Sequence, residues 1–303
     1  MGRLGSINRQ INDLFLESKI FTPGESKHAA KGLVRQSGVE NWHAMGKEMT
    51  IYSYLTAEQY KDVWHQVARW IKAEYGVRDV TKISGTHVSA WLRHKIDDDG
   101  ISKNTFRQYA AALEKLGLAI SRLTGSTSSF STELKDVRQY ARTVLAKNVV
   151  ERAYGNPDNV IQNLSLPTSR LVAQIQYESG ARIHEVAQVN NSRLTDNGFW
   201  VSGKGGFRRE LALSPETRAE LLKQLAANDG KLRFDYNEYR DDLKSACRKV
   251  GESYTGSHSF RYNYARRTFT DELAKNKTYL EALKIVSAKL GHHRASISKH
   301  YLR

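Results

Sequence analysis

The sequence predicts a two-domain protein that is mainly α-helical and carries one small antiparallel β-sheet. The length of 303 residues exceeds that of one ordinary domain. Apolar residues recur at three- and four-residue spacing through most of the chain, which is the period of amphipathic helices. Two turn signals, residues 196–198 (Asp-Asn-Gly) and 203–206 (Gly-Lys-Gly-Gly), border short runs typical of strands. Together these observations give the fold class.

The charge of the chain indicates a polyanionic partner. Lys and Arg number 47 against 32 Asp and Glu, which gives a formal charge of +15. Each phosphate that such a surface neutralises releases condensed counterions, and this release favours binding. Composition alone leaves DNA, RNA and an anionic membrane surface open as partners.

Membrane insertion and disulfide bonding are both disfavoured. The sequence has no apolar run of about 18 residues and no signal-peptide pattern at its N-terminus. Cys247 is the only cysteine, so no disulfide can form within one chain. We therefore expect no membrane association and a reducing, cytoplasmic location, on the nucleoid if the partner is DNA.

Residues 1–45 predict a basic helical extension, and residues 46–124 predict a compact helical domain. Within the second range, three amphipathic helices follow one another, each with an apolar stripe of the width that buries against a core. The aromatic residues of these stripes fit a core better than a surface for stacking bases. What the extension does is left open by its sequence.

The third helix of that block carries candidate DNA contacts. It begins near Ser102 and turns Phe106 inward. Lys103, Arg107 and Gln108 lie on its other side, and these residue types suit phosphates and base edges. We therefore expect this polar face to bind DNA if the partner is DNA.

Residues 125–131 predict a linker, and residues 132–303 predict the second domain. The linker is a stretch of small polar residues, Gly-Ser-Thr-Ser-Ser-Phe-Ser. The second domain has strands at 199–202 and 207–213, joined by the 203–206 turn, and is otherwise mostly helical.

Several polar residues of the second domain are candidates for chemistry, although each has a simpler interpretation alone. Arg182 and Glu185 have the spacing of a surface ion pair. Lys204 lies at a hairpin tip, where a solvated lysine is common. His258 and Arg261 lie three residues apart, so a helix would turn both to one side. The order and spacing of the whole set make a functional site the better interpretation.

Four motifs follow one another in this domain: residues 180–185 (Gly-Ala-Arg-Ile-His-Glu), 202–206 (Ser-Gly-Lys-Gly-Gly), 258–261 (His-Ser-Phe-Arg), and 290–292 (Leu-Gly-His), followed nine residues later by Tyr301. In this order and spacing they resemble the tyrosine recombinase (phage integrase) family. The resemblance implies a core-binding domain over residues 46–124 and a tyrosine recombinase catalytic domain after the linker. It departs from the usual pattern at Tyr262, where a second His is commoner, and at His293, which adjoins the expected His292.

The resemblance also implies a role for each active-site residue. Tyr301 is the nucleophile that forms a 3′-phosphotyrosine, and Lys204 gives a proton to the departing 5′ oxygen. Glu185 orients Arg182 or pairs with a neighbour. The other four groups bind the non-bridging oxygens of the scissile phosphate, a task suited to charged and polar N–H donors, and they are Arg182, His258, Arg261 and His292. No metal or cofactor is implied.

Double-stranded DNA is the implied partner, bound by a homotetramer that assembles on two DNA sites from a chain that can be a monomer in solution. Two other functions stay open at this stage. A type IB topoisomerase shares the chemistry, although the core-binding domain favours recombination. A non-cleaving DNA-binding accessory protein shares the fold, although it predicts an incomplete active site.

Overall fold

The computed structural model describes residues 5–126, 130–145, 151–202, 208–292 and 294–302, and the chain forms two compact units, Met1–Asn148 and Val149–Arg303. Helices dominate both units, and one antiparallel sheet of two strands is present among the described residues, which confirms the predicted fold class. No helix in these described ranges is both long enough and apolar enough to cross a bilayer.

Seven helices form the first unit as described. In chain order they are α1 (Ile7–Glu17), α2 (Lys27–Gln36), α3 (Trp42–Glu48), α4 (Tyr54–Tyr75), α5 (Gly85–Asp97), α6 (Lys103–Thr124) and α7 (Ser131–Val144). The long helices α4 and α6 each begin at a serine cap and end at a glycine in the left-handed conformation, which are the usual start and stop signals of helices. Trp64 of α4 is fully buried and donates its indole N–H to the Ala112 carbonyl at 2.8 Å.

Helix α1 belongs to the core of this unit. Ile11, Leu14 and Phe15 are buried and pack in one cluster with α4 and α6. The extension predicted over residues 1–45 therefore contributes to the same apolar core as residues 46–124. The sequence gives the amphipathic spacing of α1, but it does not say which surface covers the stripe.

Helix α7 also packs on the first unit, so the boundary between the units does not coincide with the linker predicted at 125–131. Leu134, Val137 and Ala141 are buried in the first core, and α7 contacts both α5 and α6. Gly85 at the start of α5 lies so close to Glu133 that a side chain there would collide with its carboxylate. The small polar residues before α7 thus form a connection within a unit, and three of them, 127–129, lie outside the described residues.

The second unit consists of eight helices and two strands as described. They are α8 (Pro157–Gln162), α9 (Pro167–Ser179), α10 (Ile183–Val186), β1 (Gly198–Ser202), β2 (Arg208–Ala212), α11 (Pro215–Ala227), α12 (Tyr236–Lys249), α13 (Ser259–Ala274), α14 (Tyr279–Lys289) and α15 (Ala295–Ser298). A 3₁₀ helix (Lys299–Leu302) follows α15. The strands pair with Gly198 opposite Ala212 and Ser202 opposite Arg208, close to the predicted bounds.

The packing of α13 between α9 and α14 brings three helix ends together. Its first turn, which follows His258, lies near the end of α9 at Gly180 and the end of α14 at Leu290. Gly180 has φ of 66°, and a side chain there would overlap the ring of Tyr264 on α13. Glycine is therefore required at this position by both its conformation and its close approach to α13.

Truncation of Leu134 tests whether α7 is part of the first core. We expect Leu134→Ala to lower the free energy of unfolding of the first unit by about 2–5 kcal/mol, because it leaves a cavity at a fully buried site. Urea unfolding followed by tryptophan fluorescence measures this, since four of the five tryptophans lie in the first unit. Val144→Ala on the same helix is the control, with an expected loss of at most about 0.5 kcal/mol because Val144 is exposed. Equal effects of the two variants would contradict the assignment of α7.

Candidate active site

Several of the predicted catalytic residues lie close together in the second unit, and the guanidinium of Arg261 lies at the centre of this cluster. Its side chain is fully buried on α13, and it donates to the Gly180 carbonyl and, at 2.5 Å, to the Leu290 carbonyl. These two bonds use two of its five N–H donors. Burial, and then the positive charge of Arg182, lower the pKa of Arg261 to about 10. Arg261 therefore stays charged at neutral pH and fixes the ends of α9 and α14 to α13.

Two histidines and Tyr301 surround this guanidinium. The Nε2 atom of His258 lies 3.3 Å from the Tyr301 hydroxyl, and Nε2 of His292 lies 3.4 Å from an Arg261 nitrogen. The His292 and Tyr301 rings are 5.4 Å apart and only 32° from parallel. Tyr301 is 7% exposed, so its hydroxyl lies inside the cluster and close to a ring nitrogen.

Both imidazoles are neutral at neutral pH. Burial, and then the charges of Arg261 and Arg182, lower the pKa of His258 to about 4. The same causes, with a contribution from Arg209, lower the pKa of His292 to about 4. A neutral imidazole can accept one hydrogen bond and donate another, so each ring can serve either an oxyanion or a hydroxyl.

The Arg182 side chain is held by Glu185. The Glu185 carboxylate is 2% exposed; it accepts from the Arg182 backbone N–H at 2.7 Å and from the Arg182 guanidinium at 3.1 Å. Arg209 on β2 donates to the other side of the same carboxylate at 2.8 Å. Burial raises the pKa of Glu185, but these hydrogen bonds and the two positive charges outweigh burial and lower it below its usual value. Glu185 is thus a buried carboxylate that stays ionised.

The ring of Tyr262 packs against the ring of Tyr301 in a tilted arrangement. The two rings are 4.7 Å apart, and Tyr262 also contacts His258 at 5.7 Å between ring centroids. Tyr262 is 3% exposed and lies one residue after Arg261. The departure from the family pattern noted in the sequence therefore supplies an aromatic surface for the candidate nucleophile.

The family of the chain follows from a comparison with models of known families. The model described as the phage integrase family matches residues 143–303, which is more than half of the chain. The chain belongs to the phage integrase family. The tyrosine recombinase resemblance inferred from the motifs is therefore confirmed. A search of curated proteins finds no match.

Solved structures of phage integrase relatives share the fold at low sequence identity. A lambda integrase dimer bound to a COC′ core site is 15% identical, covers 92% of this chain and 96% of that chain, and has a TM-score of 0.57. A lambda integrase tetramer bound to a Holliday junction is 14% identical, with coverages of 90% and 75% and a TM-score of 0.55. The Tn1549 transposon integrase bound to transposon right end DNA is 12% identical, with coverages of 90% and 92% and a TM-score of 0.54.

Five of the six predicted catalytic residues of this phage integrase lie in one cluster. Direct contacts join Arg261, His292, His258 and Tyr301, and the charge of Arg182 acts on both histidines. The sixth, Lys204, lies outside the described residues, as does His293. The strands that bracket Lys204 are described and end at Ser202 and begin at Arg208. In the described part of the chain, no group of three or more His, Cys, Asp or Glu has the arrangement of a metal site.

Arg209 is the residue of this site that the sequence interpretation missed. Arg209 lies on the same inward face of β2 as Leu211, and it pairs with Val201 of β1. Charged residues are uncommon on the inward face of a strand, so this parity was the available signal. The signal was weak because a five-residue strand offers few positions from which to judge the alternation.

Two of the three predicted DNA contacts line a basic groove between α6 and α7. Arg138 and Arg142 of α7 lie across it from Lys103 and Arg107 of α6, and its volume is about 370 Å³. Glu114 also lines the groove and pairs with Arg138 at 2.8 Å. Gln108 is exposed on α6 but is not part of the lining. The two arginines of α7 were missed, because residues after 131 were assigned to the other domain.

The lowered pKa values of the two histidines predict how stability depends on pH. Because each folded pKa is about 4 and the unfolded value is about 6.5, the unfolded chain binds more protons between these values. We therefore expect the free energy of unfolding to fall as the pH drops from 6.5 to 4. The His258→Asn/His292→Asn variant should show a smaller slope, by at most two protons, in urea titrations across this range.

The control for this experiment is His184→Asn, which removes an exposed histidine from the same unit. The slope of this variant should match that of the wild type. A double variant whose pH dependence is indistinguishable from the wild type would show that the two half-buried imidazoles are not held neutral.

Proposed function

We propose that this chain is a site-specific DNA recombinase that cleaves and rejoins double-stranded DNA through a 3′-phosphotyrosine on Tyr301. The observation that carries the proposal is the position of the Tyr301 hydroxyl, 3.3 Å from His258 Nε2 and beside the buried guanidinium of Arg261. A nucleophile next to a neutral ring nitrogen and a fixed cation is the arrangement that phosphoryl transfer needs.

In the first step, Tyr301 attacks phosphorus, its Oη–P bond forms, and the P–O5′ bond breaks. The reacting phosphate gains negative charge on its non-bridging oxygens, and Arg182 and Arg261 stabilise it because a guanidinium donates paired N–H bonds and stays charged. The neutral ring of His258 can take the proton that the hydroxyl loses, since a bound phosphate raises the pKa of a nearby imidazole. His292 donates a further hydrogen bond to the phosphate.

The same step needs a proton for the departing 5′ oxygen. We assign it to Lys204 on the family motif, because an ammonium at a hairpin tip is compact and can reach a leaving group. The phosphotyrosine keeps the energy of the phosphodiester bond, so a 5′ hydroxyl can reverse the reaction without ATP, metal or cofactor. Attack by the 5′ hydroxyl of another strand gives a recombinant product.

Recombination also requires several protomers on DNA. Lambda integrase has been solved as a dimer on a core site and as a tetramer on a Holliday junction. We propose that this chain likewise assembles as a homotetramer on two DNA sites. The resulting location is the cytoplasmic nucleoid.

Covalent trapping on host genomic DNA tests the mechanism and finds the target site together. The wild type, incubated with sheared DNA in chelator and quenched with SDS, should give protein-linked fragments with a free 5′ hydroxyl opposite the linkage. Tyr301→Phe should give none, because it lacks the nucleophilic oxygen. Sequencing of the linked ends should place them at one DNA sequence.

Tyr279→Phe is the matched control, since it removes one phenolic hydroxyl from an exposed site and should trap DNA as the wild type does. Adducts scattered over many sequences would favour the type IB topoisomerase alternative. DNA binding without adducts in any variant would favour a non-cleaving accessory protein and contradict the proposal.

We also propose that Lys103, Arg107 and Gln108 of α6 contact DNA. The four cations of the α6–α7 groove suit a phosphate backbone, and Gln108 is of the type that reads adenine edges. Each phosphate contact makes binding dependent on salt in proportion to the counterions released.

The salt dependence of binding to a labelled nonspecific duplex measures these phosphate contacts. We expect Lys103→Ala/Arg107→Ala to reduce the slope of log K against log salt by about 0.9 for each contact removed. Arg9→Ala, an exposed arginine of the same unit, should leave the slope unchanged. If both variants have the wild-type slope, the groove does not bind the DNA backbone.

A further inference from the structure

Arg209 connects three of the segments that form the candidate site. Its side chain is 12% exposed and leaves β2 toward Glu185 of α10, to which it donates at 2.8 Å. It also lies against the turn that carries His292. An atom added as Cβ at Gly291 would stand 2.8 Å from an Arg209 terminal nitrogen. Gly291 has φ of 67°, a conformation that favours glycine, and a side chain there would displace the Arg209 guanidinium.

The carboxylate of Glu185 is shared between two arginines. One oxygen accepts from the Arg182 guanidinium at 3.1 Å, and the other accepts from the Arg182 backbone and from Arg209. At 2% exposure, this carboxylate has little access to water, so its ionised form depends on these donors. The Arg182 side chain is 26% exposed, whereas that of Arg209 is 12% exposed. Arg209 is thus the more buried partner, and Arg182 is the one open toward a ligand.

From this arrangement we infer that Arg209 is a positioning residue that neutralises one side of Glu185 and so leaves the Arg182 guanidinium available to a phosphate. This inference rests on the proposed function, and it adds a residue that the catalytic motifs do not include. A carboxylate with only one cationic partner attracts it into a two-point ion pair, because Arg and carboxylate match in such a geometry. Without Arg209, Arg182 would turn its N–H donors to Glu185 and away from the scissile phosphate.

A compensation experiment separates this role from a simple packing role. Arg209→Met should reduce the initial rate of Tyr301 adduct formation on genomic DNA by about 10- to 100-fold, the effect of losing one hydrogen bond to a charged group. Adding Glu185→Gln should recover most of the loss, because a neutral amide does not need a second cation. Arg209→Lys should also retain more activity than Arg209→Met, since it keeps the charge. Arg233→Met, at an exposed arginine of the same unit, is the control and should react as the wild type does.

A second readout does not require DNA cleavage. In a Tyr301→Phe background, inorganic phosphate at constant ionic strength should raise the Tm, because the cluster binds an oxyanion. Arg209→Met should diminish this rise, and Arg209→Met/Glu185→Gln should restore it. A packing role predicts a different result, namely that the double variant is no better than the single one, because the volume of the Arg209 side chain is still missing.

The two assays distinguish failure of this inference from failure of the proposed function. If the wild type forms no adducts but the phosphate series behaves as expected, the recombinase proposal fails and the role of Arg209 stands. If folded Arg209→Met matches the wild type in either assay, or if Glu185→Gln gives no recovery, the inference is overturned. It is also overturned if phosphate does not raise the Tm of the Tyr301→Phe parent. Should Arg209→Met fail to fold, Arg209→Lys and Arg209→Met/Glu185→Gln are each compared with the wild type. Retained adduct formation in both supports the inference, and loss of adduct formation in the folded double variant overturns it.

Discussion

The rest of the site depends on the pairing of the ionised Glu185 carboxylate with two arginines. Arg182 and Arg209 both pair with it, and its charge also acts on the buried Arg261. Cations in a poorly solvated region repel one another strongly, since the effective dielectric there is far below that of water. Glu185 offsets part of this repulsion, and the carbonyls of Gly180 and Leu290 offset another part by accepting from Arg261. The helix ends that supply these carbonyls are thereby tied to Arg261.

The excess of positive charge also determines how Tyr301 is packed. Because burial, and then the charges of the arginines, lower the pKa of His258 and His292, both rings are uncharged and can lie against an aromatic neighbour without losing the hydration of an ion. Tyr301 lies among these rings and Tyr262, with centroid distances between 4.7 and 5.8 Å. Electrostatics and packing are therefore coupled here, since burial and the same cations that suit a phosphate together keep the histidines in the form that can pack around the nucleophile.

The sequence predicted much of this arrangement, for reasons that can be stated residue by residue. Gly180 ends α9 in the left-handed conformation, which is what a glycine after an amphipathic stretch indicates. The spacing of His258 and Arg261 placed both on one turn of a helix. Arg209 could not be found in this way, because its partner Glu185 is 24 residues away and the pairing depends on the sheet register. The membership of α7 in the first unit was missed for a similar reason. The sequence of α7 is amphipathic, but an amphipathic pattern does not reveal which core will cover the apolar face.

The charge balance of the site bears on the proposed reaction. A phosphate brings the negative charge that the arginines lack, so in the proposed complex it relieves their repulsion and raises the pKa of both histidines. His258 then becomes basic enough to take the proton that Tyr301 loses, while His292 donates a hydrogen bond to the phosphate. A water molecule carries no such charge, so it would leave the pKa of both histidines low and the repulsion between the arginines in place. On this account, the fold brings the residues of the site together, but the site becomes competent for proton transfer only when a phosphodiester is bound. The chemistry of the second unit therefore depends on the binding of DNA.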